Sequence, residues 1–384
     1  MRTPEMIKFS YRLEWMCMTK NWWKALWMVI LTGSILCGCG KSEKGETYSE
    51  PVEFPEYFEE SYSCLDFKTE IIVSDEADVN ELYRFSMKRA GYDTEKAYEA
   101  LFSDVEIKET HEGDSLGDAG KRITWEDYIG AEGEYLYMNG ESLTYGHPFV
   151  SYIMRCLRPE TKNPKYNLDK YELNGQLDFA DDESGSKEIV EVLKTMGFPV
   201  DTSELFIKSY AMNHEIMKQE EYAMDMQGNE DTSKYKDSWT PEDDCYYYLM
   251  KQKIEGLPLY YVYGGYIKEV EECYTGIEAL YSKDGIQRLS VNKIFDVSHP
   301  ENIKEVSLMP LESLTEEVNE QYEMLLSNAV YKVNRMELYM MAEQNIHGNY
   351  DVFPVWVMWM EQEDGETKKI LQNVIDAETG KIIS

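Results

Sequence analysis

Three side chains carry the groups needed for acyl transfer, although they lie far apart along the chain. Ser115 stands in the block Gly113-Asp-Ser-Leu-Gly-Asp-Ala-Gly120, and Asp296 and His299 belong to the block Asp296-Val-Ser-His299. In such a set the imidazole takes the proton of the hydroxyl, and the carboxylate holds the imidazole in the required tautomer. These residue types would allow a serine hydrolase with Ser115 as its nucleophile.

The two blocks resemble the nucleophile block and the late Asp-x-x-His block of GDSL-type esterases. The surrounding sequence does not fit that family, because residues 105–112 are polar at alternate positions where a buried parallel strand is needed. No Gly-x-Asn-Asp block supplies the expected oxyanion donor. We therefore predict that the chain is not an enzyme and that both blocks are polar surface loops. The alternative is an esterase that uses Ser115, Asp296 and His299.

Cys39 is the second residue with distinctive chemistry, because it ends an apolar run near the N-terminus. Lys20 and Lys24 precede the apolar residues 25–36, and small residues follow them. This order is typical of a secretory signal peptide. The apolar run of about a dozen residues is shorter than the roughly 20 residues that a membrane-spanning helix needs.

The stretch Leu36-Cys-Gly-Cys39 resembles a bacterial lipobox. The resemblance implies that Cys39 becomes the mature N-terminus and carries a diacylglycerol, which would hold the protein on the extracytoplasmic face of the cell membrane. Residues 1–38 would then be the signal peptide and residues 39–55 a flexible tether. A frame that ends at Cys37 is poorer, because it puts Leu36 where a small residue is required. The start codon stays open between Met1, Met16 and Met18.

The charge of the chain excludes several classes of partner. Its 384 residues include 73 acidic and 38 basic side chains, which gives a formal net charge of −35. Nucleic acid and bare anionic lipid should both be repelled by such a surface. The predicted signal peptide contains five basic and two acidic residues, so the exported part is more acidic still. The partners that we expect are the membrane, through the lipid at Cys39, and an envelope protein or glycan.

The remaining candidate sites are weaker. No motif indicates a cofactor or a metal ion, because the histidines and cysteines lack ligand spacing. The tyrosine clusters 246–248 and 260–263 could form an exposed aromatic platform for a glycan or a protein. Besides Cys39, four cysteines lie outside the signal peptide: Cys64, Cys156, Cys245 and Cys273. They could be free thiols or form two disulfides.

The elements that must position these residues follow from periodicity. Apolar spacing predicts helices over 75–90 and 94–102, and a helix over 186–196 with Ser186 as N-cap and Gly197 as C-cap. A helix followed by an antiparallel meander occurs at 186–296 and again at 311–384, and parallel βαβ alternation is absent. We predict an α+β fold with a repeated helix-plus-meander unit. The expected domains are residues 56–182, 183–305 and 306–384.

The C-terminal segment resembles a known module. Pro354-Val-Trp-Val-Met-Trp, a polar turn and Asn373-Val-Ile-Asp-Ala-Glu-Thr-Gly-Lys-Ile-Ile383 are similar to the closing hairpin of PepSY-type modules and of Yyc-type extracytoplasmic regulators of sensor kinases. With the lipobox, the chain is similar to uncharacterised lipoproteins of clostridial Gram-positive bacteria. The resemblance covers about the last half of the chain, and its motifs are signatures of a fold that imply no chemistry and no site residue. The lipobox, the repeated helix-plus-meander unit and the lack of a complete catalytic set together predict a non-catalytic binding or regulatory module at the cell envelope. Within the hairpin, Asp376-Ala-Glu-Thr-Gly380 is predicted to form a turn in which the aspartate bonds its own backbone and Gly380 takes a positive φ.

Overall fold

Antiparallel strands dominate the fold. The computed structural model describes residues 51–117, 122–157, 167–261, 276–324, 329–364 and 367–383, which all belong to one compact unit, Tyr48–Ser384. The helices in these ranges are α1 (Thr94–Phe102), α2 (Val150–Cys156), α3 (Asp182–Thr195), α4 (His214–Glu220) and α5 (Leu311–Glu323). None of the helices in the described ranges has the length and apolar character to cross a membrane.

The strands of the described ranges fall into two groups, called here sheet A and sheet B. Sheet A contains β1 (Tyr57–Ser61), β2 (Leu65–Ile72), β3 (Tyr83–Arg89), β11 (Leu257–Tyr260), β14 (Phe295–Glu305), β15 (Tyr331–Gln344), β16 (Tyr350–Asp364) and β17 (Thr367–Asp376). Sheet B contains β4 (Ile107–Leu116), β5 (Arg122–Gly130), β6 (Tyr135–Asn139), β7 (Leu143–Gly146), β8 (Glu172–Leu173), β9 (Leu205–Met212), β10 (Cys245–Ile254), β12 (Ile277–Ser282) and β13 (Gly285–Val291).

Sheet A is built around the long antiparallel hairpin of β15 and β16. On one side, β2 and then β11 run parallel to β15, and β1 lies outside β2. On the other side, β16 has two successive partners: β3 pairs with residues 350–352, and β17 pairs with residues 355–364. β14 pairs with the outer edge of β3. Sheet A therefore divides at Phe353, where β16 changes from one partner to the other.

Sheet B is antiparallel throughout, in the order β8-β9-β10-β12-β13-β7-β6-β5-β4. The hairpin of β10 and β11 connects it to sheet A. That hairpin turns at Glu255 and Gly256, whose φ angles of 52° and 78° are those of a tight two-residue turn. A Cβ atom at Gly256 would lie 2.3 Å from the carbonyl oxygen of Glu76, so the position requires glycine.

Each meander packs against one helix, which confirms the predicted α+β class. In α3, Ile189 and Leu193 share a buried cluster with Tyr246 and Tyr248 of β10. In α5, Leu314 and Val318 share another buried cluster with residues of β15 and β16, including Trp356. The amphipathic faces of the two helices are thus covered by the two sheets, as their apolar spacing requires.

Two helix predictions need correction. Residues 75–76 and 79–80 form turns, and Tyr83–Arg89 is the strand β3. The side chain of Asp78 accepts a hydrogen bond from the backbone N–H of Asn80, which favours a turn. Phe85 and Met87 lie two residues apart on β3, so both point into the same buried cluster. The helix predicted to begin after Ser186 begins earlier, because Asp181 caps α3 by accepting a hydrogen bond of 2.7 Å from the N–H of Ser184. The predicted helix 94–102 is confirmed as α1.

Strand pairing joins segments that are distant in the sequence. β2 runs beside β15, β3 lies between β14 and β16, and β7 pairs with β13. Residues of 56–182 therefore share sheets with residues of 183–305 and of 306–384. The division into domains at these boundaries stays a prediction.

Candidate functional site

The residues of the predicted esterase alternative lie on two different strands. Ser115 is on β4, opposite Ile123 of β5, whereas Asp296 and His299 are on β14. Both stretches are strands rather than the loops expected from the sequence. Within the described ranges, Ser115 and His299 share no hydrogen bond. The structure thus places Asp296 beside His299, while the hydroxyl of Ser115 is not bonded to the imidazole.

The local geometry around His299 differs from that of a catalytic triad. Its Nδ1 atom lies 2.8 Å from the Oγ atom of Ser298 and 3.5 Å from Oδ2 of Asp296. In a triad the carboxylate and the hydroxyl contact opposite nitrogens of the ring, so that a proton can pass between them. The hydroxyl and the backbone N–H of Ser298 both donate to Asp296, and they lower the pKa of that carboxyl below its ordinary value. The His299 side chain is 85% exposed, which is typical of a surface cluster.

The cysteines that the structure describes are buried. Cys64, Cys156 and Cys245 are free thiols, and burial raises the pKa of Cys245 well above its usual range. A buried thiol with a raised pKa is poorly nucleophilic, which is typical of a packing role. Cys39 and Cys273 lie outside the described residues. No group of three or more His, Cys, Asp or Glu side chains within the described ranges is arranged to hold a metal ion.

The tyrosines of β10 are core residues, so the prediction of an exposed platform there is wrong. Tyr246, Tyr247 and Tyr248 are each at most 1% exposed. The strand is covered on one face by α3 and on the other by a cluster that contains residues of α2 and α4. Tyr260 and Tyr261 are also buried, while Tyr263 lies outside the described residues.

A cleft lies where sheet A divides, and we call it the sheet-split cleft. It has a volume of about 580 Å³, and its walls come from β3, β14, the ends of the β15–β16 hairpin and the turn after β17. Its charged and polar lining includes Arg84, Ser86, Lys304, Asp351, Asp376 and Lys381. A volume of this size suits a small-molecule ligand or the side chain of a partner protein.

Arg84 spans the division of the sheet. Its Nη2 atom lies 2.5 Å from Oδ2 of Asp376, and its Nε atom lies 3.1 Å from Oε2 of Glu378. The guanidinium also sits 5.0 Å from the ring centre of Phe353, within the range of a cation–π contact. The two ion pairs and the cation–π contact together hold the arginine in one orientation.

The turn after β17 holds the acidic partner in place. The other carboxylate oxygen of Asp376, Oδ1, accepts hydrogen bonds from the backbone N–H groups of Glu378 and Thr379, at 3.0 and 2.9 Å. Gly380 closes the turn with a φ of 70°. The turn predicted for residues 376–380 is therefore confirmed, and one aspartate both forms the turn and binds Arg84. From α5, the side-chain amide of Gln321 donates to the carbonyl of Gly380 at 2.8 Å and fixes the turn to the helix.

Other charged groups of the cleft are available to bind a ligand. Asp351 accepts hydrogen bonds from the hydroxyl of Ser86 and the amide of Asn345, at 2.7 and 2.9 Å. Lys304 lies opposite Arg84 in the register of β14 and β3, and Lys381 belongs to the C-terminal segment. Neither lysine forms an ion pair with a side chain in the described part of the chain. The cleft can therefore offer ammonium groups and a carboxylate to one ligand.

Sequence reasoning named Asp376 only as a turn residue and did not find Arg84. The predicted helix 75–90 would have placed Arg84 on a helix surface, far from the C-terminal turn. A signal was present in the turn sequence itself, since an aspartate that forms such a turn keeps one carboxylate oxygen for a cation.

Comparisons with known proteins show the fold and no activity. No protein-family model and no curated protein matches the chain. An uncharacterized protein from Eubacterium rectale, solved by crystallography, is similar to this chain with a TM-score of 0.58 and 16% sequence identity, over 86% of this chain and 94% of that one. The Bacillus megaterium YpeB C-terminal domain is a distant neighbour with a TM-score of 0.25 and 11% identity, over 76% and 93% of the two chains. The first likeness indicates a shared fold, and the second is too low to support an argument.

Proposed function

We propose that this chain is a lipid-anchored extracytoplasmic protein that acts as a non-catalytic binding or regulatory module at the cell envelope. The anchor is a diacylglycerol on Cys39, and the ligand site is the sheet-split cleft. The resemblance of the C-terminal hairpin to PepSY-type and Yyc-type modules supports the regulatory part of the proposal.

The sequence around Cys39 supports the anchor. Stable membrane attachment needs two hydrophobic signals, and a diacylglycerol provides two acyl chains at about 0.8 kcal/mol for each buried methylene. The strongly acidic surface would be repelled by anionic lipid headgroups. In this arrangement the acyl chains hold the protein at the membrane, and the tether predicted over residues 39–55 lets the folded part stand away from it. The end of that range belongs to the folded part, because the ring of Phe54 lies 5.0 Å from that of Trp356 and the backbone N–H of Val52 donates to the side chain of Asn80.

The observation that carries the binding role is the composition of the cleft. In a chain with nearly twice as many acidic as basic side chains, Lys304 and Lys381 line one cavity without a described carboxylate partner. Arg84, which lies beside them, is already held by Asp376 and Glu378. Charged groups without partners in a concave site are available to a ligand.

The anchor is tested by fractionation of cells that produce the full chain. We expect the native protein in the membrane fraction and the Cys39→Ala variant in the medium. Cys37→Ala is the matched control, because it replaces a neighbouring cysteine and keeps a small residue in the lipobox, and it should stay in the membrane. Membrane retention of Cys39→Ala would refute lipidation at this residue, and release of Cys37→Ala would favour the alternative frame.

The binding role of the cleft is tested by cross-linking in intact cells. Charge reversal at both lysines, Lys304→Glu with Lys381→Glu, should abolish the cross-linked species formed by the native chain. Lys187→Glu on α3 with Lys218→Glu on α4 is the control, because this double variant makes the same change in charge at two exposed lysines outside the cleft. Identical cross-linking by the native chain and the double variant would rule out the cleft as the binding site.

A further inference from the structure

A second surface lies on the side of sheet B opposite the cluster that contains α1 and α3. Side chains alternate along β6, so Leu136 and Met138 point into that cluster, and Tyr137 points to the other side. In the paired strands, Trp125 and Asp127 of β5 and His111 of β4 share the face of Tyr137. We call these four side chains the aromatic face.

Trp125 rests against the backbone of the neighbouring strand. Its cross-strand partner is Gly113, and a Cβ atom at that glycine would lie 2.7 Å from Cζ2 of the indole ring. The ring can take this position only because glycine has no side chain. One side of the indole is thus in contact with β4, and the side chain as a whole remains partly exposed.

Tyr137 extends the surface begun by Trp125. The two ring centres are 6.2 Å apart, and the ring planes differ by 28°, so the rings form an offset, nearly parallel pair. The buried amide of Asn139 donates to the hydroxyl of Tyr137 at 3.2 Å and fixes the ring. A neighbouring pair repeats the arrangement, since a Cβ atom at Gly146 would lie 2.4 Å from Cε1 of Tyr135.

Polar groups lie directly beside the two rings. Asp127 is the cross-strand partner of both Tyr137 and His111, and the Nδ1 atom of His111 lies 3.7 Å from its carboxylate. The Nε2 atom of the same imidazole lies 3.7 Å from the carboxylate of Glu109. All three polar side chains are at least partly exposed to solvent. The rim can therefore accept and donate hydrogen bonds, and its net charge is negative.

This combination limits the chemistry of a ligand. The indole of Trp125, with one side against β4, and the neighbouring ring of Tyr137 offer π surface to the C–H face of a sugar ring. The carboxylates and the imidazole can bind hydroxyl or amino groups of the sugar. A nucleic acid could also stack on the rings, but its phosphates would meet the acidic rim. A purely apolar partner would leave Asp127 without a hydrogen-bond partner.

We propose that the aromatic face binds a neutral or cationic saccharide, with Trp125 and Tyr137 as the stacking platform and Asp127 and His111 as the hydrogen-bonding groups. The proposal rests on the proposed function only in that the cell envelope is the place where the protein would encounter such a saccharide. The binding itself needs neither the lipid nor the cleft.

The test is isothermal titration calorimetry of the full chain, solubilised in detergent, with the neutral hexamer of N-acetylglucosamine and with its deacetylated, cationic form. We expect at least one of the two sugars to bind, and the anionic polymer dextran sulfate not to bind. Trp125→Ala should weaken binding at least tenfold. Tyr57→Ala, which removes an exposed ring from β1, should leave the affinity unchanged.

Two further variants keep the test decisive if Trp125→Ala does not fold. Gly113→Ala places a methyl group where the indole lies and should weaken binding without removing the ring. Asp127→Asn should weaken binding of the deacetylated sugar more than that of the neutral one. The proposal is overturned if neither sugar binds, if dextran sulfate or a lysine oligomer binds in their place, or if Gly113→Ala leaves the affinity unchanged. Because the assay contains no membrane, a failed anchor at Cys39 would not change its result.

Discussion

Arg84 of β3 and Asp376 of the C-terminal turn form an ion pair of 2.5 Å across the point where sheet A divides. The two residues lie on strands that follow each other along the same side of β16. The pair therefore links an early strand of the fold to its last turn, and it forms one wall of the sheet-split cleft.

Removal of the arginine should destabilise the protein. In Arg84→Met the carboxylate of Asp376, which is 13% exposed, loses its cationic partner. We expect the free energy of unfolding in urea to fall by about 1–3 kcal/mol, the cost of leaving such a group unpaired. Arg122→Met is the control, because it removes the exposed partner of Asp114 and should change stability little. Equal stability of the two variants would contradict the structural role of Arg84.

A glycine inside helix α3 should not tolerate alanine. Replacing a helical glycine with alanine is ordinarily stabilising, but a Cβ atom at Gly185 would lie 2.5 Å from the hydroxyl oxygen of Tyr248. That hydroxyl donates a hydrogen bond of 2.6 Å to the carbonyl of Asp182. We expect Gly185→Ala to lower the unfolding free energy by about 1–3 kcal/mol, as overpacking does.

Two related variants check this explanation. Adding Tyr248→Phe removes the clashing oxygen and should restore part of the stability lost in Gly185→Ala. Gly91→Ala, at a glycine whose Cβ would meet no atom within 4 Å, should be close to neutral. A stabilised Gly185→Ala protein would show that α3 does not pack on β10 in this way.

Stability should fall at alkaline pH because of Tyr281. Burial first, and then its hydrogen bond to Glu188, raise the pKa of Tyr281 from 10 to about 12. A raised pKa in the folded state means that the folded protein keeps a proton that the unfolded chain loses. The stabilisation is thus complete below pH 10 and is lost as the pH rises toward 12. Urea unfolding from pH 9 to 12 should show a smaller decline in Tyr281→Phe than in the native protein.

The glutamate partner gives a second measurement. Glu188→Gln removes the negative charge 2.7 Å from the tyrosine hydroxyl and should shift the spectrophotometric titration of Tyr281 to lower pH. An unchanged titration in this variant would mean that the hydrogen bond does not contribute to the pKa.

Ser115 should have no catalytic role. With a chromogenic short-chain ester as substrate, we expect the native chain and Ser115→Ala to give the same background rate, because Ser115 makes no hydrogen bond to His299. Ester turnover that disappears in Ser115→Ala and in His299→Ala would support the esterase alternative and contradict a non-enzymatic role.

Local signals in the sequence were sufficient for several elements. α1 has its predicted bounds because Asp93 caps it, and Gly380 closes the predicted C-terminal turn. The pairing of each helix with a meander follows from apolar spacing, because the apolar residues of α3 and α5 are the ones that the two sheets bury. In each case the information lies within a few residues of the element that it determines.

Long-range pairing explains what the sequence did not reveal. In the sequence, Tyr246 and Tyr248 resemble exposed strand residues. In the fold, β10 lies between α3 and the cluster that contains α2 and α4. The two tyrosine hydroxyls then donate to the backbone carbonyls of Ala180 and Asp182. Trp125 becomes part of a surface only through the register that sets it opposite Gly113. Arg84 reaches the C-terminal turn only because sheet A divides at Phe353.

The central claim is that the mature protein begins at a lipidated Cys39. Mass spectrometry of the N-terminal peptide, taken from membranes of cells that produce the full chain, tests it most directly. We predict a peptide that starts at Cys39 and carries the mass of a diacylglycerol. A mature N-terminus at another residue, or an unmodified Cys39, would contradict the account.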